Sequence, residues 1–177
     1  MRNTLHFVLL FVITSFLISC GALVTSKAHQ RATVEGGALP KDFGKHQGTL
    51  LCVTYTNGYN RYLKRNLKKV YDGPYELVST AQLNAPPYND IEQYPYVFDF
   101  TYKENGNWNF NSVAVGPNPR FRVSKVKVFH LTDRIADEQF SLNMTSGYWS
   151  KLQRAYLKKM AEQRRRTIEP DSAEPQP

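Results

Sequence analysis

The sequence predicts an α+β fold, a two-layer sandwich in which a mainly antiparallel sheet carries two helices on one face. Aromatic residues alternate with other residues between Tyr96 and Tyr102, which is the period of a strand with one apolar face. Residues 59–70 and 149–160 place apolar side chains at intervals of three and four, the period of an amphipathic helix. Short apolar or β-branched runs lie around these segments, and the predicted element order is β-α-β-β-β-β-β-α.

The first half of the predicted domain is a strand, a helix and a second strand. Residues 49–55 are apolar or β-branched, as in a buried strand. Asn57 is the predicted cap of the helix, and residues 72–74, Asp-Gly-Pro, end it. The apolar face of this helix contains Tyr59, Leu63, Leu67 and Val70. Its polar face contains Arg61, Lys64, Arg65, Lys68 and Lys69. Residues 75–82 are predicted to form the second strand, and residues 84–94 a loop.

The second half is predicted to begin with a β-hairpin over residues 94–115. Asn105-Gly106 interrupts the alternation and favours the positive φ values of a type I′ turn. One face of the predicted hairpin is aromatic and contains Tyr96, Phe98, Phe100, Tyr102 and Trp108. Residues 121–131 and 137–143 are the predicted last strands, and Ser146 caps the final helix. The apolar positions of that helix are Trp149, Leu152, Tyr156 and Met160, and its polar face contains Lys151, Arg154, Lys158 and Arg165.

Composition indicates one basic domain. The chain has 177 residues, of which 41% are hydrophobic, enough for one compact core but too few for two domains. Lysine and arginine number 23 against 15 aspartates and glutamates, and the resulting formal charge of +8 suits anionic partners. The only cysteines, Cys20 and Cys52, exclude a disulfide scaffold and any metal site built from four thiolates of this chain.

The N-terminal segment is predicted to direct export. Arg2 carries the only side-chain charge before residue 27, and an apolar run follows it at residues 7–18. A helix of that length spans about 18 Å, well short of the roughly 30 Å hydrocarbon core of a bilayer. Residues 1–19 are therefore predicted to be a signal peptide and not a permanent membrane span.

The residues that end this run, Leu17-Ile18-Ser19-Cys20, resemble the lipobox of bacterial lipoproteins. The resemblance implies that the Cys20 thiol receives a diacylglyceryl group, that the chain is cut before Cys20, and that the new amino terminus is acylated. Gly21 follows the cysteine in place of an aspartate, which for such proteins implies the outer membrane, facing the periplasm. The inner membrane and the cell surface are alternative locations. An ordinary secretory signal and a plain hydrophobic anchor are alternatives to lipidation.

The exported chain is predicted to have three parts. Residues 20–47, the lipidated cysteine and a flexible tether, are small and polar and show no periodicity. Residues 48–166 form the single α+β domain. Residues 167–177 hold three prolines and three acidic residues and are a predicted disordered tail. Removal of residues 1–19 takes away only Arg2 among the charged residues, so the exported part keeps a charge of +7.

The sequence predicts no enzyme, with no catalytic residue, cofactor or metal assigned. None of the histidines outside the signal peptide, His29, His46 and His130, lies at zinc-ligand spacing from another. The sharpest catalytic hypothesis pairs Cys52 as nucleophile with His130 and Asp133. Against it, Cys52 lies in an apolar strand, where a free cysteine is usually a buried hydrophobe.

Two groups of carboxylates are candidates for metal binding or acid–base chemistry. They are Asp90, Glu92 and Asp99, and Asp133, Asp137 and Glu138. Neither group follows the pattern of a calcium loop, and turns commonly collect such residues for structural reasons.

The basic helix faces and the aromatic hairpin face are the candidate binding surfaces. The basic faces suit anionic lipid headgroups, lipopolysaccharide phosphates or an acidic protein, although ordinary solvated helices have the same pattern. The aromatic face suits either a stacked ligand or packing beneath the helices, and packing is the favoured interpretation. Nucleic acid is not an expected partner of an exported lipoprotein.

The predicted element order over residues 48–166 is similar to that of small periplasmic lipoprotein domains of the TolB N-terminal and curli-assembly CsgG-like kind. The resemblance depends on that order and on the ending around Asp133, Gln139 and Trp149. It implies a structural or assembly accessory of the envelope, held to the membrane by its lipid and contacting another envelope protein. The alternative is a ligand-binding module that uses the aromatic or the basic face for an anionic envelope component. The sequence does not determine the oligomeric state.

Overall fold

The computed structural model describes residues 21–107 and 122–169, and of residues 104–107 and 122–124 only the backbone. These residues form three helices and a five-stranded sheet, which confirms the predicted α+β class. In chain order the elements are α1 (residues 21–31), β1 (Leu50–Thr54), α2 (Asn57–Val70), β2 (Tyr75–Ser79), β3 (Tyr96–Asn107), β4 (Arg122–Asp133), β5 (Glu138–Ser141) and α3 (Trp149–Ile168).

The sheet is mixed, with the strand order β2-β1-β3-β4-β5. β1 lies between β2 and β3 and is parallel to both, whereas β3–β4 and β4–β5 are antiparallel. Parallel neighbours need a crossover between them. Helix α2 supplies the crossover from β1 to β2, and the long segment before Tyr96 returns the chain to the other side of β1.

The helices cover one face of the sheet. Side chains on alternate residues of β1, β3 and β4 point to that face and pack with the apolar stripes of α2 and α3. The fully buried members of this core include Leu50, Cys52, Leu63, Leu67, Phe98, Phe129, Leu131, Leu152 and Tyr156. Each such aliphatic or aromatic side chain contributes about 1.5–3 kcal/mol on burial. A smaller cluster on the other face is covered by Leu83 and Tyr88 and contains Leu51, Val53, Val78, Tyr94 and Val97.

The helix caps differ from the predicted residues by one or two positions. Thr56, not Asn57, caps α2, because its extended backbone lets its side chain accept a hydrogen bond from the Tyr59 amide. Tyr148 occupies the N-cap position of α3 without a side-chain cap. The predicted cap Ser146 instead accepts a hydrogen bond from the Tyr148 amide at 3.1 Å, one turn ahead of the helix.

The predicted turn at Asn105-Gly106 is wrong. Both residues lie inside β3 and pair with Ser124 and Val123 of β4, so the antiparallel pair is β3 with β4. An Asn-Gly pair permits a type I′ turn but does not require one, and here the ladder to β4 continues past it. The described residues accordingly contain five strands where six were predicted, while Trp108 and the predicted return strand lie outside them.

The predicted flexible tether over residues 20–47 is also wrong for the part that the structure describes. Residues 21–31 are helical, and Ala28, Ala32, Ala38 and Phe43 are buried in the same core as α2 and α3. The Tyr156 hydroxyl donates to the Ala38 carbonyl and fastens this segment to α3. Alanine side chains allow α1 to approach closely, but they leave little apolar periodicity in the sequence. The folded domain therefore already includes Gly21, and three helices cover the sheet.

Candidate functional site

The three helices run parallel, and the N-terminal ends of α2 and α3 lie at the same end of the domain as Gly21, the first described residue of α1. Tyr62 of α2 contacts Trp149 of α3 at 5.2 Å between ring centroids, and one turn further the Asn66 amide donates to Gln153 at 2.8 Å. α1 lies alongside in the same direction. Gly21 lies beside the tip of the Lys151 side chain, and the two residues line a groove between α1 and α3.

We call this end of the domain the helix-start pole. It is defined by Gly21, Arg61, Tyr62, Arg65, Tyr102, Lys127, Tyr148, Trp149 and Lys151. The far end of the domain holds the C-terminal ends of α2 and α3 and the start of β3, where Asp72 pairs with Arg165 at 3.6 Å.

Lys127 is the centre of an aromatic cluster at the pole. In the β3–β4 ladder it lies opposite Tyr102, on the helix-facing side of the sheet. Its Nζ is 4.9 Å from the ring centroid of Phe100, 4.8 Å from that of Tyr102 and 5.2 Å from that of Trp149. A cation over an aromatic face gains about 0.5–1 kcal/mol at an exposed site. The three rings therefore hold the ammonium group at this end of the molecule.

The cluster continues across the helix ends. Trp149 stacks on Tyr59 with centroids 5.8 Å apart and meets the edge of Tyr62. The guanidinium groups of Arg65 and Arg61 lie 4.6 Å and 5.5 Å from the Tyr62 centroid. On the other side of Trp149, Lys151 Nζ lies 5.4 Å from the ring of Tyr148, which is 49% exposed. The pole is therefore a continuous surface of cations and aromatic rings that reaches Gly21.

The cations of the pole form no ion pair within the described part of the chain. The pairs found there are Lys158–Glu162, Lys159–Glu162 and Arg165–Asp72, all toward the far end. Asp99, an acid of β3 whose side chain is described, accepts a hydrogen bond from the Tyr55 hydroxyl at 2.5 Å. Burial and then this hydrogen bond raise the pKa of Tyr55, so the hydroxyl keeps its proton and remains the donor.

The two predicted basic faces have different environments. All five cations of the α2 face are exposed. On α3, Arg154 Nε donates to Asn66 at 3.1 Å, and Lys158 and Arg165 are in the ion pairs given above. Of the four cations on the predicted α3 face, Lys151 is the one outside these contacts, and it lies at the start of the helix.

The predicted aromatic face is mainly core. Tyr96, Phe98 and Phe100 are 2%, 0% and 5% exposed, which confirms the interpretation that the helices pack on them. Tyr102 is 57% exposed and joins the pole, and Trp108 lies outside the described residues.

The Cys52–His130 pair is not brought together. In the sheet Cys52 lies opposite Phe98, and Phe98 lies opposite Leu131, and all three side chains face the helices. His130 is the residue before Leu131 in the same strand, so its side chain points to the opposite face of the sheet. Cys52 is fully buried, and burial raises the pKa of its thiol, which disfavours a nucleophilic thiolate.

His130 is instead held between two hydroxyl groups. Thr101 Oγ1 and Ser141 Oγ each lie 2.7 Å from a ring nitrogen, and burial lowers the pKa of the imidazole, which favours its neutral form. A neutral ring donates at one nitrogen and accepts at the other, so both contacts are satisfied. His130 thus ties β3, β4 and β5 together.

One member of each candidate carboxylate group caps a turn. Asp90 Oδ1 accepts from the amides of Glu92 and Gln93 at 3.0 Å and 3.2 Å. Asp133 Oδ1 accepts hydrogen bonds from the amides of Ile135 and Ala136 at 2.9 Å and 3.0 Å. Among the residues that the structure describes, no three His, Cys, Asp or Glu side chains are grouped as metal ligands.

The sequence-based interpretation singled out neither Lys127, Tyr62 nor Tyr148. A signal for Lys127 was present, since it takes a helix-facing position in the alternating run that contains Phe129 and Leu131. The other two residues become notable only through the packing of α2 against α3.

The assigned lipidation residue, Cys20, lies outside the described residues and directly precedes Gly21 at the pole. Within residues 21–107 and 122–169, no helix has both the length and the apolar character that a membrane span requires. Comparisons with protein-family models, with curated proteins and with solved structures found no match.

Proposed function

We propose that this protein is a lipoprotein of the bacterial envelope, anchored through Cys20 on the periplasmic side of the outer membrane, and that its domain acts by binding an envelope protein. The observation that carries the proposal is the sequence Leu17-Ile18-Ser19-Cys20 at the end of a short apolar run. Several acyl chains on one residue give stable anchoring, since each buried CH₂ contributes about 0.8 kcal/mol.

Binding, not catalysis, is the role that the arrangement of side chains supports. The candidate nucleophile Cys52 is buried on one face of the sheet, while His130 is on the other. One member of each carboxylate group, Asp90 or Asp133, accepts hydrogen bonds from backbone amides in a turn. Asp133 and Glu138 line one open cavity, but the Asp133 carboxylate is already held there by the amides of its own turn.

Lipidation is tested by mass spectrometry of the N-terminal peptide from the membrane-extracted protein. The expected peptide starts at Cys20 and carries acyl mass, and the protein leaves the membrane fraction only with detergent. Cys20→Ala should abolish both properties, whereas the matched variant Cys52→Ala should retain them. An unmodified N-terminal peptide from wild-type membranes would contradict the proposal.

The proposed partner is tested by crosslinking in intact cells, followed by identification of the captured protein. A single envelope protein captured by the wild type, and lost in variants of one exposed surface, is the expected result. Crosslinks spread over unrelated abundant proteins would argue against a specific accessory role.

The alternative function, a module that binds an anionic envelope component, is favoured by the unpaired cations of the helix-start pole. The version that uses the aromatic face has less support, because Tyr96, Phe98 and Phe100 are beneath the helices.

A further inference from the structure

We propose that the helix-start pole rests on the anionic headgroups of the membrane that holds Cys20, and so fixes the orientation of the whole domain. The far end, with the start of β3 and the loop around Asn89, then points away from the membrane. This inference rests on the proposed anchoring, which it extends from a point of attachment to a docked surface.

The first argument is the short connection between anchor and domain. Consecutive Cα atoms are about 3.8 Å apart, so a lipid on Cys20 begins one residue from Gly21. Gly21 is part of α1, which lies beside the Lys151 side chain and is joined to the core through Ala28 and Ala32. No flexible segment between Gly21 and the core lets the domain turn freely about the anchor. The end of the domain that carries Gly21 must therefore lie near the bilayer.

The second argument is the lack of charge compensation at the pole. Exposed cations such as Lys41 and Lys45 also lie at the far end, but the described ion pairs lie toward that end as well. Arg61, Arg65, Lys127 and Lys151 have no carboxylate partner in the described part of the chain. The acids that pair with helix cations, Asp72 and Glu162, lie toward the opposite end. The positive ends of the α2 and α3 helix dipoles also point to the pole and add to its attraction for anions.

The third argument is the kind of aromatic side chain at the pole. Tyr102 and Tyr148 are 57% and 49% exposed, and Trp149 and Tyr62 are half-buried beside them. Tyrosine and tryptophan with nearby lysine or arginine are typical of the interface between bilayer and water. An acidic protein would satisfy the charges alone, whereas a headgroup layer next to the anchor satisfies the charges, the rings and the position of Gly21 together.

The inference is tested with the membrane-extracted full chain, reconstituted into vesicles of phosphatidylcholine or of an equimolar mixture of phosphatidylglycerol and phosphatidylcholine. An introduced cysteine carries a dye either at Asn57→Cys, at the pole, or at Asn89→Cys, at the far end. Both positions are exposed, and the buried Cys52 does not compete for the dye. A quencher on the lipid headgroups then reports which end lies near the membrane.

The pole variant removes three exposed charges by Arg61→Gln, Arg65→Gln and Lys151→Gln. Its matched control is the triple variant Lys41→Gln, Lys45→Gln and Lys68→Gln, which removes three exposed charges at the far end. Each Lys or Arg near an anionic surface contributes a factor of about 5, so the pole variant should weaken docking by about 100-fold. Circular dichroism and thermal unfolding show whether both variants fold like the wild type.

We expect stronger quenching of the dye at residue 57 than of the dye at residue 89. Phosphatidylglycerol should increase this difference in the wild type and in the control variant, but not in the pole variant. The protein could bind the vesicles but show equal quenching at both positions, or quenching that phosphatidylglycerol does not change. Either result would contradict the docking surface but not the lipid anchor. If only anionic vesicles bound the protein, and the dye at residue 57 were again quenched more than the dye at residue 89, the result would support docking through the pole and contradict the lipid anchor. Failure to bind either kind of vesicle would overturn both.

Discussion

At the scale of single residues, position in the sheet decides which chemistry a side chain can perform. Cys52 and His130 lie on adjacent regions of the sheet, but the period of two in a strand sends them to opposite faces. The same rule brings Lys127 under the helices and against three rings. Sequence reasoning could foresee that Cys52 is buried, because its neighbours are apolar. It could not identify the Lys127 cluster, because the rings come from β3 and α3, whose packing the sequence does not specify.

Lys127→Gln should destabilise the domain by about 1 kcal/mol, because the loss of the charge removes cation–π contacts to Phe100, Tyr102 and Trp149. Urea unfolding followed by circular dichroism measures the change. The matched variant Lys103→Gln removes an exposed charge from β3 and should change the free energy of unfolding by less than about 0.5 kcal/mol. Equal effects of the two variants would show that the rings do not stabilise the ammonium group.

His130 should make the domain less stable at acidic pH. Burial lowers the pKa of His130 in the folded state below the ordinary value of 6.5. Below pH 6.5 the unfolded chain therefore binds more protons than the folded chain, and the free energy of unfolding falls until the pH has passed the folded-state pKa. Unfolding free energies measured from neutral pH down to about pH 5 should decrease. His130→Gln keeps a polar group between Thr101 and Ser141 and should flatten that decrease. His29, whose pKa burial also lowers, accounts for part of the slope that remains. A slope unchanged by His130→Gln would contradict this assignment.

At the scale of elements, periodicity predicted α2, α3, β1 and the approximate position of β2 and β5, because each buries a regular apolar pattern. It missed α1, whose buried residues are alanines, and the parallel pairing of β1, because a short apolar strand carries no signal for its partner. It also placed a turn inside β3. The choice between turn and strand at Asn105-Gly106 depends on β4, which lies beyond the local sequence.

The packing of α1 is tested by Ala28→Leu. Ala28 is fully buried, so the larger side chain must displace its neighbours and should destabilise the domain by about 1–3 kcal/mol. Ala22→Leu enlarges an exposed residue of the same helix and should be nearly neutral. Thermal unfolding of both variants measures the difference. If residues 21–31 were a flexible tether, neither substitution would change the melting temperature.

Gly106→Thr tests whether β3 continues through the predicted turn. Glycine inside a strand is less stable than alanine by roughly 0.5–1 kcal/mol, and threonine favours strands, so the variant should be neutral or slightly more stable. A type I′ turn at Asn105-Gly106 would require a positive φ at residue 106, and threonine there would be clearly destabilising. The sign of the change in urea midpoint therefore distinguishes the two structures.

At the scale of the whole molecule, composition gives residues 20–177 a charge of +7 but does not show where on the surface that charge lies. Parallel packing of three helices gathers cations, rings and the Cys20 end of the chain at one pole, and leaves the described ion pairs toward the other end. The proposed orientation of the domain on the membrane has two separable causes, the short attachment at Gly21 and the attraction of the pole for anionic lipid.

The two causes can be separated by inserting a Gly-Ser linker of about 10 residues, beginning with glycine, between Cys20 and Gly21. Such a linker spans about 17 Å as a coil, so the domain remains anchored but its pole is no longer forced against the headgroups. The effective concentration of the pole at the surface falls, and docking now depends on charge alone. On phosphatidylcholine vesicles the Asn57 dye should then be quenched no more than the Asn89 dye, and phosphatidylglycerol should restore the difference at low salt. At about 1 M salt, where the Debye length is about 3 Å, the restored difference should disappear. Unequal quenching on phosphatidylcholine despite the linker would show that something other than attachment and charge orients the domain.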